Sequence, residues 1–146
     1  MNILVIAAHP DDEVLGMGGT IRKLSKNGIN QSKKIGLFFK NNKIKIDKVL
    51  SSEWCRCKDT AKYAFEDFET FDALNSFYDE RFAANETKQI NDLKNYIKSW
   101  ESDKNLILVT HFVVISSILN MGTSSGEMII SDKNYNIIDN KIFNDF

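Results

Sequence analysis

Residues 105–119 have the sequence NLILVTHFVVISSIL. Positions 106–109 are apolar without interruption, which indicates a strand that is buried on both faces of a parallel sheet. The apolar residues 113–121 that follow predict a helix. His111 lies between the two, at the carboxyl end of the predicted strand, where open α/β sheets bind their ligands. This stretch therefore predicts both a buried strand and the position of a site.

The rest of the chain alternates between the same two kinds of segment. An apolar run predicts a buried strand at 3–8, and residues 46–52 predict a second, short strand. Residues 126–143 predict a terminal hairpin. Helices are predicted at 13–27, 29–41, 57–68, 87–100 and 113–121. Gly28 is the predicted stop between the first two helices. Strands that alternate with helices predict an α/β fold, a three-layer sandwich with a mostly parallel central sheet, in a single domain over 1–146.

Bulk composition excludes several classes of partner. The 146 residues carry a formal net charge of −1, which gives no electrostatic reason to expect nucleic acid or an anionic membrane as a partner. The apolar run at 3–8 is too short to span a bilayer, so a cytoplasmic location is expected. Cys55 and Cys57 lack the spacing and the second cysteine pair of a zinc site, and we expect two reduced thiols.

Three residues that suit phosphate chemistry follow three predicted strands. His9 follows the first strand, Arg56 the second and His111 the third, so all are expected at one edge of the sheet. A neutral imidazole can attack phosphorus, and an arginine with a second histidine can stabilise the phosphoryl oxygens. A carboxylic acid must still protonate the leaving oxygen, and Asp79 and Glu80 are the candidates. For these two, a surface charge pair with Arg81 is the preferred interpretation.

Four segments occur in the order typical of one enzyme class: LSKNGINQSKKIGLFF (24–39), DKVLSSEWCRCKDTA (47–61), NLILVTHFVVISSIL (105–119) and SSGEMII (124–130). Over about residues 24–130 the chain thereby resembles the histidine phosphatase (phosphoglycerate mutase-like) superfamily. The resemblance implies that Arg56 and His111 bind phosphate and that His9 stands in the nucleophile's place. It further implies a phosphohydrolase that forms a phosphohistidine intermediate and needs no cofactor. The implied substrate is a phosphorylated small molecule or a protein phosphohistidine.

The first strand departs from that family. Where the family has Arg-His-Gly, this chain has Ala8-His9-Pro10, so the phosphate-binding arginine is missing. Asp11, Asp12 and Glu13 follow, and carboxylates beside a phosphate repel it. The expected consequence is weak turnover or none.

The amino-terminal segment also resembles a second family. The segment AAHPDDEVLGMGGTIRKLSKNG (7–28) resembles the start of the LmbE/PIG-L family of zinc-dependent N-acetylglucosamine deacetylases. It implies that His9 and Asp12 hold zinc and that Asp11 is the general base, in a site where zinc activates a water. This resemblance ends near residue 28, so the chain looks like a chimera of two families.

Three functions therefore stay open: a weak metal-independent phosphohydrolase, a zinc-dependent deacetylase fragment, and a catalytically dead phosphate-binding domain. His9 is a displaced nucleophile, a metal ligand or a vestige in these three cases respectively. Trp54 either lines the site or covers the sheet edge, and we favour the second.

Overall fold

A computed structural model of the protein describes residues 2–7, 26–124 and 126–143. In chain order its strands and helices are β1 (Ile3–Ala7), α1 (Lys26–Asn41), β2 (Ile46–Ser51), α2 (Cys55–Phe65), β3 (Glu69–Thr70), α3 (Glu86–Ser99), β4 (Asn105–Thr110), α4 (Phe112–Leu119), β5 (Glu127–Ser131) and β6 (Ile137–Ile142). Two short 3-10 turns, Asp72–Leu74 and Ala83–Asn85, lie between β3 and α3. None of the described helices combines the length and the apolar character needed to cross a membrane.

The strands form one six-stranded sheet in the order β3-β2-β4-β1-β5-β6. Strands β3, β2, β4 and β1 are mutually parallel, while β5 runs antiparallel to β1 and pairs with β6 as a hairpin. The mostly parallel sheet and the terminal hairpin predicted from the sequence are both confirmed.

Central strand β4 packs against a hydrophobic core on each face of the sheet. Leu106 and Leu108 join the core that α3 and α4 cover, whereas Ile107 and Val109 join the core beneath α1 and α2. Each of these four side chains is fully buried, and burying an aliphatic side chain of this size contributes roughly 1.5–3 kcal/mol. The uninterrupted apolar run of β4 is thus explained by helices on both sides of the sheet.

The predicted boundary at Gly28 is wrong. Helix α1 runs from Lys26 to Asn41 and contains Gly28, which is buried and accepts a hydrogen bond from Ser32 Oγ (2.8 Å). A glycine inside a helix costs only about 1 kcal/mol relative to alanine, and the burial of Ile35 and Phe39 on one face of α1 outweighs it. Most of the helix predicted at 13–27 lies outside the described residues.

Candidate functional site

The carboxyl ends of three neighbouring parallel strands meet at one edge of the sheet. In the sheet register, Ser51 of β2 pairs with Val109 of β4, and Ala7 of β1 pairs with Thr110 of β4. His111 follows β4 directly, so its imidazole belongs to the edge where β1 and β2 also end. The predicted convergence of these strand ends is therefore confirmed by the pairing of the strands.

The imidazole of His111 is buried among residues from the turn after β2 and from the first turn of α2. Its Nε2 atom lies 2.9 Å from Ser52 Oγ and 3.5 Å from Cys57 Sγ. The indole of Trp54 stands edge-on to it, with ring centroids 4.9 Å apart. With 1% of its surface exposed, His111 is held on several sides and has little freedom to rotate.

Arg56 is the second residue of α2 and is only 6% exposed. Few arginines are this deeply buried, because a charge taken out of water needs compensating partners. The amino-terminal end of a helix also carries partial positive charge from its backbone N–H groups. Together, the guanidinium and the helix end make the region around Arg56 suited to an anion.

Asn75 connects the site to the segment between β3 and α3, residues 71–85, which we call the strap. Its Oδ1 accepts hydrogen bonds from Ser52 Oγ (3.0 Å) and from the Glu53 backbone N–H (2.8 Å). Its Nδ2 donates to Glu53 Oε1 (2.8 Å). The strap itself is anchored by Thr110 Oγ1, which donates to the Leu74 carbonyl. Asn75 thus reaches His111 through Ser52.

Several of these neighbours were missed by reasoning from the sequence. Ser52 lies in the quoted Ser-Ser pair, and that motif was a usable signal. Cys57 was predicted only as a reduced thiol, and Asn75 carried no local signal at all. The indole of Trp54 contacts the His111 ring at the sheet edge, which fits both of its predicted roles. Cys55 and Cys57 are both thiols that take no part in a disulfide among the described residues.

The two candidate acids are in different situations. Asp79 binds Arg81 through both carboxylate oxygens (Oδ1–Nε 3.0 Å, Oδ2–Nη2 2.9 Å), which confirms the predicted charge pair. These hydrogen bonds hold the pKa of the Asp79 carboxyl below its usual range, which makes it a poor proton donor. Glu80 is exposed, and no hydrogen bond or ion pair joins its carboxylate to another described residue.

The predicted nucleophile and metal ligands, His9, Asp11 and Asp12, lie outside the described residues. Within residues 2–7, 26–124 and 126–143, no three His, Cys, Asp or Glu side chains are grouped so that they could hold a metal ion. The described residues alone therefore do not fit a zinc site, which normally takes three or four protein ligands.

Solved structures define the fold class. The protein TTHB049 from Thermus thermophilus aligns with 98% of this chain and all of its own, at a TM-score of 0.71 and 13% identity. The protein histidine phosphatase SixA, complexed with tungstate, aligns with 99% of this chain and 97% of its own (TM-score 0.67, 15% identity). A phosphoglycerate mutase from Thermus thermophilus aligns with 96% of this chain and 98% of its own, at a TM-score of 0.69 and 13% identity. The protein has a histidine-phosphatase-like fold.

The family that the sequence matches differs from the class that the fold defines. Residues 4–115 match the family model PIG-L, described as GlcNAc-PI de-N-acetylase. The match covers well over half of the chain, and the protein belongs to this family. It also runs far beyond residue 28, so the predicted end of that resemblance is wrong. No curated protein matches the chain. Each half of the predicted double resemblance has thus found support, one from the family model and one from the fold.

Proposed function

We propose that the protein is a weak, metal-independent phosphohydrolase that acts on a phosphorylated small molecule or a protein phosphohistidine. The observation that carries this proposal is the packing of buried His111 against the segment that begins α2 and contains buried Arg56. A net charge of −1 agrees with partners other than nucleic acid or membranes, and the cytoplasm is the proposed location.

In this proposal Arg56 and the amino-terminal end of α2 bind the phosphoryl oxygens. His111 donates to the same group from Nδ1 when both of its ring nitrogens carry hydrogen, because Nε2–H is held by Ser52. His9 supplies the nucleophilic nitrogen. His9 follows β1 by two residues in the sequence, and Ala7 at the end of β1 pairs with Thr110, the residue before His111. This position after a strand end supports the role proposed for His9.

The reaction has two steps. His9 attacks phosphorus, the bond to the leaving oxygen breaks, and an acid, for which Glu80 is the proposed residue, protonates that oxygen. Water then attacks phosphorus, the bond to the His9 nitrogen breaks and phosphate leaves, and the proton that water loses returns to Glu80. The rate is low because no arginine precedes His9, and because Asp11 and Asp12 repel the phosphate.

Hydrolysis of p-nitrophenyl phosphate in EDTA tests the proposal. We expect slow activity that is lost in His9→Ala, in His111→Ala and in Arg56→Lys, since lysine keeps the charge of Arg56 but not its fork of donors. Arg81→Lys is the matched control, because Arg81 is exposed and paired with Asp79. Activity that disappears in EDTA, or that survives in His9→Ala, overturns the mechanism. Phosphate binding that needs Arg56 without turnover would instead identify a phosphate-binding domain.

The family match favours a second candidate, a zinc-dependent hydrolase of an N-acetylglucosaminyl substrate. The matched residues 4–115 include His9 and Asp12 as the proposed ligands and Asp11 as the proposed base. Zinc content measured after dialysis separates the two candidates. One zinc per chain that is lost in His9→Ala and in Asp12→Ala, but kept in the control Asp59→Ala, supports the deacetylase. A protein that binds no zinc counts against it.

A further inference from the structure

The hydroxyl of Ser52 has three polar neighbours, which is as many as a hydroxyl can serve. Besides Asn75 Oδ1 (3.0 Å) and His111 Nε2 (2.9 Å), the Trp54 backbone N–H lies 3.2 Å from Ser52 Oγ. A hydroxyl donates one hydrogen and accepts two hydrogen bonds. Ser52 is fully buried, so these three groups occupy the one donor and two acceptor positions of its hydroxyl. The question is which of them receives the single hydrogen.

The orientation of the Asn75 amide answers it. A backbone N–H can only donate, so the atom that faces the Glu53 N–H must be the amide oxygen, Oδ1. The other amide atom faces Glu53 Oε1, an acceptor, and is therefore the NH2 group. Two independent contacts thus fix the same orientation. Oδ1 has no hydrogen to donate, and Ser52 must donate to it.

With its hydrogen committed to Asn75, Ser52 can only accept from Trp54 N–H and from His111. We propose that the chain Glu53–Asn75–Ser52 holds neutral His111 in the tautomer that carries its hydrogen on Nε2, with the lone pair on Nδ1. Ser52 and Asn75 are positioning residues: they act on the ring of His111 and not on a substrate.

This assignment also excludes one chemistry for Cys57. A cysteine–histidine catalytic pair needs a ring nitrogen that accepts the thiol hydrogen. Nε2 carries a hydrogen of its own, so Cys57 Sγ at 3.5 Å can only share that hydrogen as a weak acceptor. Cys57 is moreover fully buried. The pair is therefore a packing contact and not a nucleophile with its base.

The tautomer can be observed directly, because the chain has only two histidines. Long-range ¹H–¹⁵N correlation spectra of protein labelled at histidine, recorded in alkaline buffer, distinguish the two nitrogens of each neutral ring. His9→Gln removes one set of signals and assigns the other to His111. We expect the Nε2–H pattern for His111 in the wild-type protein. An Nδ1–H pattern for His111 would overturn the proposal, and where both rings of the wild-type protein give the same pattern the result needs no variant.

Variants then test the series of hydrogen bonds from Glu53 through Asn75 to Ser52. In Asn75→Ala the Ser52 hydroxyl is free to turn and donate to His111, so we expect the Nδ1–H tautomer to appear. Glu53→Gln combined with Asn75→Asp exchanges amide and carboxylate, keeps an acceptor opposite Ser52, and should restore the wild-type pattern. Ser51→Ala is the control, since Ser51 Oγ donates to the Ser52 carbonyl and not to the ring of His111. A wild-type pattern in folded Asn75→Ala would refute the role of Asn75.

The functional meaning of this chain rests on the proposed function, but its test does not. If the protein hydrolyses phosphate esters, Asn75→Ala should lower kcat more than it raises KM, and the double exchange should recover kcat. The spectra report the tautomer whether or not turnover is found. Failure of the phosphatase assay and failure of the tautomer assignment are thus distinguishable.

Discussion

Helices α1 and α2 touch at a glycine, and this contact allows a stability prediction. A Cβ atom added to Gly36 of α1 would lie 2.3 Å from the backbone oxygen of Ala64 in α2. Close C–H···O contacts in proteins have C···O distances of about 3.3–3.6 Å. In Gly36→Ala the two helices must therefore move apart by about 1 Å. The neighbour is backbone and cannot rotate away as a side chain could. Hence one helix must shift.

The size of the effect follows from two opposing contributions. Overpacking against rigid structure costs about 1–3 kcal/mol, and a backbone neighbour favours the upper end of that range. Replacing glycine by alanine inside a helix recovers about 1 kcal/mol. We therefore expect Gly36→Ala to lower the free energy of unfolding by about 2 kcal/mol. For a chain of this length that corresponds to a fall in Tm of roughly 4–8 °C.

Thermal and urea unfolding, followed by circular dichroism, measure this change. Gly122→Ala is the matched control, because a Cβ at Gly122 meets no atom within 4 Å. We expect that variant to stay within about 0.5 kcal/mol of the wild-type protein. If Gly36→Ala is as stable as Gly122→Ala, helices α1 and α2 are not in the close contact described here, and the reasoning is refuted.

Three further predictions concern the core, a buried ring and a surface pair. Leu108→Ala, in the middle of β4, should lower the free energy of unfolding by about 2–5 kcal/mol in urea titrations. A loss below about 0.5 kcal/mol, which is less than the removal of a single buried methyl group costs, would contradict the full burial of Leu108. Asp47→Ala removes the acceptor of the Trp100 indole N–H (2.8 Å) and should cost about 1 kcal/mol with a change in tryptophan fluorescence; an unchanged spectrum would argue against the bond. Because Arg81 lowers the pKa of Asp79, the stability from this pair is present above the unfolded-state pKa and is lost as pH falls through the folded-state pKa. Arg81→Ala should raise the Asp79 pKa toward its ordinary value in an NMR titration, and no movement would contradict the pairing.

Local patterns along the chain predicted the sheet well. The apolar run before His111 indicated burial on both faces, and the alternation of its side chains between two cores is the physical basis of that pattern. Position after a strand end also predicted that His111 and Arg56 belong to one edge, since parallel strands end together. The boundary at Gly28 failed because a weak local preference was outweighed by the packing of α1.

The surroundings of His111 were beyond such patterns. Asn75 is more than twenty residues from Ser52 along the chain, and only the course of the strap after β3 brings its amide to that hydroxyl. The same holds for the indole of Trp54, whose position depends on how the turn after β2 enters α2. These contacts join loops, and loops have no periodicity from which a partner can be predicted.

The sequence by itself determined the class of fold, most of its strands and helices, and the edge at which His111 and Arg56 lie. It could do so because the spacing of apolar residues along the chain indicates which faces of a strand or helix are buried, and because parallel strands end at one edge. Only the tertiary structure decided what those side chains touch. The donor and acceptor places of Ser52 are filled by groups from three separate segments, and it is their meeting that places the hydrogen on Nε2 of His111.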